Sequence, residues 1–179
     1  MNRRTTTLAM LAALSSVLLA GCAAPTPGDY ARETPALDLA RYFNGPLTAH
    51  GVVTDRSGRV IRRFVVKMNG RWSGNEGVLD EDFSYSDGKT EKRVWRLTKL
   101  GDGRYSGRAD DVVGEAQGQA AGNALQWRYS LRVPVYGHVF EVQFDDWMYL
   151  VDDRVMLNKA VMSKFGIPLG EVTLAFHKP

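Results

Sequence analysis

The sequence contains one cysteine, Cys22, and only three histidines, His50, His138 and His177, which stand far apart. A lone Cys closes no internal disulfide, so no disulfide framework supports the fold. With no Cys/His cluster at ligand spacing, structural zinc is excluded, and neither a metal nor a cofactor is expected. Each His reads as a surface or strand-edge residue rather than a ligand or catalyst. No Gly-x-Ser-x-Gly elbow, phosphate-binding loop or dinucleotide fingerprint is present, and Ser57 and Ser163 have no base beside them in sequence. Repeats and low-complexity tracts are missing too. What the 179 residues do hold is a 44% hydrophobic share with four Trp, seven Tyr and seven Phe. That content excludes a disordered polar chain, and the length suits one domain.

The chain starts with Arg3 and Arg4, followed by an apolar stretch from Leu8 to Ala20. Such a stretch is short for a bilayer span and fits the apolar region of a secretory signal. It ends in Leu19-Ala20-Gly21-Cys22, the pattern of a bacterial lipobox, in which small residues admit the cleaving enzyme and the Cys thiol receives the lipid. Residues 1–21 are therefore expected to be a signal peptide, with Cys22 the lipid-attachment residue, bearing a diacylglycerol and an amide-linked acyl chain such as palmitate. At about 0.8 kcal/mol per buried methylene, three chains anchor a protein to a membrane for good. Ala23, where inner-membrane lipoproteins commonly have Asp, points to the outer membrane, with the protein on its inner leaflet facing the periplasm. Removing residues 1–21 takes away Arg3 and Arg4, which leaves 21 basic side chains against 20 acidic ones. The formal charge of +3 was thus mostly targeting signal, and a nucleic-acid partner loses its only support.

Residues 22–33, rich in Pro, Gly and polar side chains, read as a lipidated flexible tether. Thr34-Pro35 looks like an N-cap with a first-turn Pro, opening one short helix through Leu37, Leu39, Tyr42 and Phe43 that Asn44-Gly45-Pro46 would stop. From there on the pattern is short alternating runs separated by turn signals. The clearest is Leu125–Val133, apolar at every odd position and polar at every even one, as a half-buried strand requires. Phe64, Val66 and Met68 alternate in the same way, as do Trp95 and Leu97, the Phe140–Phe144 run, and Val172, Leu174 and Phe176. About nine or ten strands joined by short turns predict an all-β domain over residues 34–179. Its expected form is an antiparallel up-and-down, lipocalin-like barrel with one short N-terminal helix.

Ordered blocks cover the chain from about residue 37 to its end. They include Phe83-x-Tyr85-x-Asp87-Gly88, Arg93-x-Trp95, Ala109-Asp110-Asp111-Val112-Val113-Gly114-Glu115-Ala116-x-Gly118 and Gly122-Asn123-Ala124-Leu125-x-Trp127-x-Tyr129. Phe144-Asp145-Asp146-Trp147-Met148-Tyr149-Leu150, Asn158, Met162-x-Lys164-Phe165-Gly166 and Leu169-Gly170-Glu171-Val172-Thr173-Leu174 follow. In these blocks the sequence resembles the uncharacterised bacterial lipoprotein family catalogued as domain of unknown function 3833. The resemblance implies an exported lipoprotein and brings no activity or catalytic residue with it.

Chemistry has few candidates. Asp110-Asp111, Asp145-Asp146 and Asp152-Asp153 are acidic pairs, and paired carboxylates can do acid/base work when their environments separate their pKa values. Asp152-Asp153 falls at a hairpin tip and reads as a solvated turn, while Asp110 and Asp111 admit either a structural or a functional role. Continuing the register from Phe140, Val142 and Phe144 places Asp146 inward with Met148 and Leu150. A buried carboxylate needs a partner, for which Arg93 or Arg96 is the expected source; a bulge that turns both acids to structural use is the competing reading. Every second residue of Gly114-x-Ala116-x-Gly118-x-Ala120-x-Gly122 is small. That pattern marks either interior space for a ligand or room for a Trp ring, the latter being favoured. Trp95, Trp127, Tyr129, Asp146 and Trp147 form the expected ligand-contacting set. The leading expectation is a non-enzymatic barrel that binds an apolar or amphipathic, lipid-like small molecule. The alternatives are an enzyme acting on envelope lipids through Asp146, and a solid scaffold or assembly lipoprotein. An open interior would separate binding from scaffold.

Overall fold

A computed structural model describes residues 24–135 and 137–179. The signal segment over residues 1–21 and the lipidation site Cys22 lie outside the described residues. Ten antiparallel strands follow one another around a closed barrel. They are β1 (Gly45–Asp55), β2 (Val60–Ser73), β3 (Glu76–Tyr85), β4 (Thr90–Gly101), β5 (Arg104–Arg108), β6 (Ala116–Ala121), β7 (Ala124–Val135), β8 (His138–Leu150), β9 (Val155–Lys164) and β10 (Ile167–His177). Each strand pairs with its sequence neighbour and β10 returns to β1, with Thr48 opposite His177 and Asp55 opposite Gly170. Every ladder closes within residues 45–177, so the barrel is complete without anything N-terminal to the described chain. Closure also removes the exposed edges on which β-sheets otherwise aggregate. The up-and-down barrel expected from the alternation is the fold observed.

The two ends differ. At one, the turns 73–76, 101–104, 121–124 and 150–155 surround a single helical turn, α1 (Leu39–Tyr42). Its N-cap is Asp38, whose carboxylate accepts from the Ala40 and Arg41 amides at 2.8 and 3.3 Å and from Lys99 Nζ at 2.6 Å. The helix therefore starts at Asp38 and not at Thr34, because Asp38 has a side-chain acceptor already fixed by the barrel wall. Leu37, Leu39, Tyr42 and Phe43 are buried and plug this end, with Phe43 edge-on against Phe176 at 5.6 Å. Gly70 of β2 makes room for the plug, since a Cβ there would overlap the Phe43 carbonyl.

Residues 27–30 form a 3-10 turn. Tyr30 lays its ring against Trp147 and Tyr149 on the outer wall, with centroids 5.8 and 5.4 Å apart. The opposite end, the mouth, carries the turns 55–60, 85–90, 108–116, 135–138 and 164–167. Exposed apolar side chains gather there: Ile61, Val139, Phe140, Phe165 and Ile167, with Phe165 87% exposed on a left-handed residue at φ 53°. The Lys164-Phe165-Gly166 segment is thus a hairpin tip between β9 and β10.

β5 and β6 are the short strands of the wall. Above them the loop 109–115 runs along β7, where Val113 N–H donates to the Ser130 carbonyl at 2.9 Å and Arg132 N–H to that of Asp111 at 2.8 Å. Val112 is buried, and so the loop substitutes for the missing strand length and faces Asp111 toward the interior.

Candidate functional site

The interior holds a cavity of about 780 Å³ that reaches from Leu39 and Phe43 at the plug to Lys92, Arg132 and Pro134 at the mouth. Its walls follow the predicted parities. Leu125, Trp127, Tyr129, Leu131 and Val133 of β7 all face it, as do Phe144, Asp146 and Met148 of β8 and Phe64, Val66 and Met68 of β2. Of the aromatic residues expected at a ligand, Trp95, Trp127 and Tyr129 meet there. Trp95 is edge-on to Trp127 at 5.8 Å and to Tyr129 at 5.6 Å, and Tyr129 stacks on Phe144 at 5.0 Å. The rings bridge from β4 to β7 because the two strands between them carry little bulk. A Cβ on Gly118 would overlap the Trp127 ring, and Gly107 lies under its far edge. The small-residue strand thus makes room for Trp127, as favoured from the sequence.

Trp147 is not with them. It faces outward, stacked on Tyr149 at 5.9 Å and covered by Tyr30. Adjacent strand residues point to opposite faces, so an inward Asp146 forces an outward Trp147.

Asp146 is buried and faces the cavity, as its register predicted. Its neighbours are not arginines. Asn158 Nδ2 of β9 donates to Oδ1, and the Tyr129 hydroxyl donates to Oδ2 at 3.3 Å. Arg96 points outward, into solvent, and Arg93 is engaged elsewhere, so the arginine partner expected for Asp146 is corrected to a neutral pair. Burial with only neutral donors pushes the Asp146 carboxyl up to about 7, against the smaller opposing pull of the Asn158 and Tyr129 hydrogen bonds. Burial and the nearby Asp146 carboxyl likewise raise the Tyr129 hydroxyl well above its ordinary value.

Arg93 of β4 binds Asp111 through two nitrogens, Nε at 3.0 and 3.1 Å and Nη2 at 2.7 Å. Directly opposite it on β3 stands Glu81, whose Oε2 lies 3.7 Å from Arg93 Nη1, within ion-pair range but too far for a hydrogen bond. Burial raises the Glu81 carboxyl to about 7; Arg93 and a hydrogen bond from Trp95 pull it down, while Asp111 and Asp146 push it up. Glu81 was not singled out from the sequence, and Asn158 stood there only among the blocks of the family resemblance, with no site role. Glu81 shares the parity of Leu79, Phe83 and Tyr85, a signal that reads it inward.

Asp145 faces out, accepting from Gln126 at 2.6 Å and pairing with Arg128 at 3.5 Å. Asp152 caps the hairpin through the Arg154 and Val155 amides and Asp153 pairs with Arg41, the turn role expected of both. His50, His138 and His177 are exposed. Among the described residues no group of three or more His, Cys, Asp or Glu side chains could hold a metal ion.

The family profile described as protein of unknown function (DUF3833) matches residues 16–178. The chain belongs to this family. No curated protein matches this DUF3833 member. Its fold is similar to the S-type phycobiliprotein lyase of Guillardia theta, with a TM-score of 0.55, 6% identity, and 76% of this chain and 88% of that one covered. It is also similar to a protein of unknown function from the DUF3598 family of Nostoc punctiforme, with a TM-score of 0.51, 11% identity, and 88% and 53% covered. A de novo designed fluorescence-activating β-barrel matches with a TM-score of 0.41 and 13% identity over 80% of this chain and 99% of that one. At these identities the likeness is one of fold.

Proposed function

We propose that this DUF3833 protein is a lipid-anchored binding protein of the bacterial envelope. In this reading Cys22 holds it in the inner leaflet of the outer membrane, facing the periplasm, and its barrel takes up an apolar or amphipathic, lipid-like small molecule. The observation that carries the binding part is the cavity: about 780 Å³, within the range of small-molecule sites, with apolar walls and a few convergent polar groups. A barrel serving only as a scaffold has no use for that space. That a structural neighbour is a phycobiliprotein lyase supports a role for such a barrel beyond scaffolding.

Native mass spectrometry of the barrel, residues 24–179, tests this. A co-purified small molecule is expected, together with a shift in Trp emission when apolar amphiphiles are added. A consistently empty barrel whose emission ignores them overturns the binding reading. Anchoring is tested separately, by incorporation of a palmitate analogue into the full chain and its loss in Cys22→Ala.

A second reading, an enzyme acting on envelope lipids, rests on Asp146. A carboxyl near 7 suits general acid/base work. Asp146→Asn would then abolish the cellular phenotype with the fold intact.

A further inference from the structure

Below its mouth the cavity has buried acceptors without donors and more negative than positive charge, while an unmatched buried donor, Arg62 Nε, lies nearer the mouth. Its polar groups below the mouth are Glu81, Arg93, Asp111, Tyr129, Asp146 and Asn158. Most donors among them are already engaged, while Arg93 Nη1 makes no hydrogen bond and lies 3.7 Å from Glu81 Oε2. Arg93 is held bidentately by Asp111, the Tyr129 hydroxyl is given to Asp146, and the Asn158 amide is given to Asp146 and to the Trp147 carbonyl at 3.3 Å. Two buried acceptors have no protein donor: Glu81 Oε2, on a side chain 10% exposed, and Asn158 Oδ1, on a residue 2% exposed. Three carboxyls, of Glu81, Asp111 and Asp146, face one guanidinium. Arg62, nearer the mouth, is paired with Asp87 at 3.1 Å and lies over the Tyr85 ring. An unmet buried acceptor is costly, and a donor brought by a ligand would recover that cost.

The rings beside these acceptors favour the same partner. Trp95, Trp127, Tyr129 and Phe144 form one continuous aromatic surface, and aromatic faces attract cations most strongly where water is displaced. Among these six groups a carboxylate or phosphate would find only Arg93 Nη1 without a hydrogen bond, beside Glu81, and would meet three acidic side chains.

Building on the binding reading, we propose that the barrel selects amphiphiles whose polar end is an amine, with the ammonium set against Glu81, Asp146 and Asn158 and the apolar body along the remaining wall. Acidic amphiphiles such as fatty acids are disfavoured.

Decylamine, decanol and decanoate share one tail and differ in the head, so they separate cavity binding from head-group choice. Titrated into residues 24–179 at pH 8 and followed by Trp emission and calorimetry, decylamine is expected to bind at least tenfold tighter than decanoate, with decanol between. Glu81→Gln and Asp146→Asn should each reduce the decylamine advantage over decanol several-fold. Decanoate binding as well as decylamine overturns the amine inference and leaves the binding reading standing. An amine preference that survives in both variants places the selection elsewhere and overturns it as well. If none of the three probes binds, both fall.

Discussion

Replacing Asp146 by Asn isolates the cost of keeping a carboxyl inside this barrel. The two side chains have nearly the same shape, and the amide can still accept the Tyr129 hydroxyl. What changes is ionisation. Burial holds the Asp146 carboxyl at about 7 in the folded chain, against an ordinary value of 3.8. Between those two values the folded state keeps a proton that the unfolded chain has released. Asp146 therefore supports the fold fully below about pH 4 and loses that contribution as the pH rises through about 7. A displacement of roughly three units at 1.36 kcal/mol each amounts to about 4 kcal/mol, or roughly 10 °C in melting temperature for a chain of this size. Asp38, Asp55, Asp87 and Asp152, whose pKa values are lowered, act in the opposite sense, gaining stability as pH rises. The useful quantity is thus the difference between variant and wild type, since these acids are common to both. Urea unfolding at several pH values should show Asp146→Asn gaining about 4 kcal/mol on the wild type between about pH 4 and pH 8. Glu81→Gln, also held at about 7, should gain about 3 kcal/mol. Parallel stability curves for wild type and Asp146→Asn would refute the reasoning, because the carboxyl would then be as well solvated inside the barrel as outside it.

Arg93→Met removes the cation facing Glu81 and Asp111 and should cost about 3 kcal/mol in urea unfolding, whereas an unchanged midpoint would mean the pair contributes nothing net. Gly118→Val drives a side chain into the Trp127 ring; a loss of about 1–3 kcal/mol and an altered near-ultraviolet circular dichroism spectrum are expected, and wild-type values for both would show that the ring is not seated there. Phe165→Asn places a residue tolerant of left-handed backbone at an exposed tip and should raise stability by about 1 kcal/mol, a fall arguing instead that Phe165 packs on something that holds the hairpin.

Parity made much of this interior legible. In a barrel one face of every strand is core, so the alternation from Leu125 to Val133 fixes which side chains of β7 meet the cavity. The same count along β8 turned Asp146 inward and, followed one residue further, turns Trp147 out. Placing Trp147 in the ligand set gave its bulk more weight than its parity, and Tyr30 supplies the cover that bulk requires. Partner choice was not legible. A carboxylate inside a barrel can be met from either neighbouring strand or from across the lumen, and alternation carries no information on rotation around the barrel. Only the closed register reveals that Asp146 lies between Tyr129 on one side and Asn158 on the other, while Arg93 meets Glu81 directly across a ladder. Asp111 reaches Arg93 because β5 and β6 stop short, a feature set by tertiary packing and not by local pattern.

The chain approaches the barrel from its plugged end. Thr26 is already tied to Asp29, and Tyr30 is docked beside the 121–124 turn, where a Cβ on Gly122 would overlap the Tyr30 carbonyl. Under the proposed lipidation of Cys22, the eight steps from Cys22 to Tyr30, the residue docked on the wall, reach about 28 Å at full stretch. Strands of this length, tilted as barrels require, stand roughly 30 Å tall. Under that proposal the reach does not exceed the height of the barrel, which favours the plug, and not the mouth, lying next to the anchoring leaflet. In the proposed anchoring the plug would face the membrane and the opening would look away from it, so a ligand would enter the barrel from the far side.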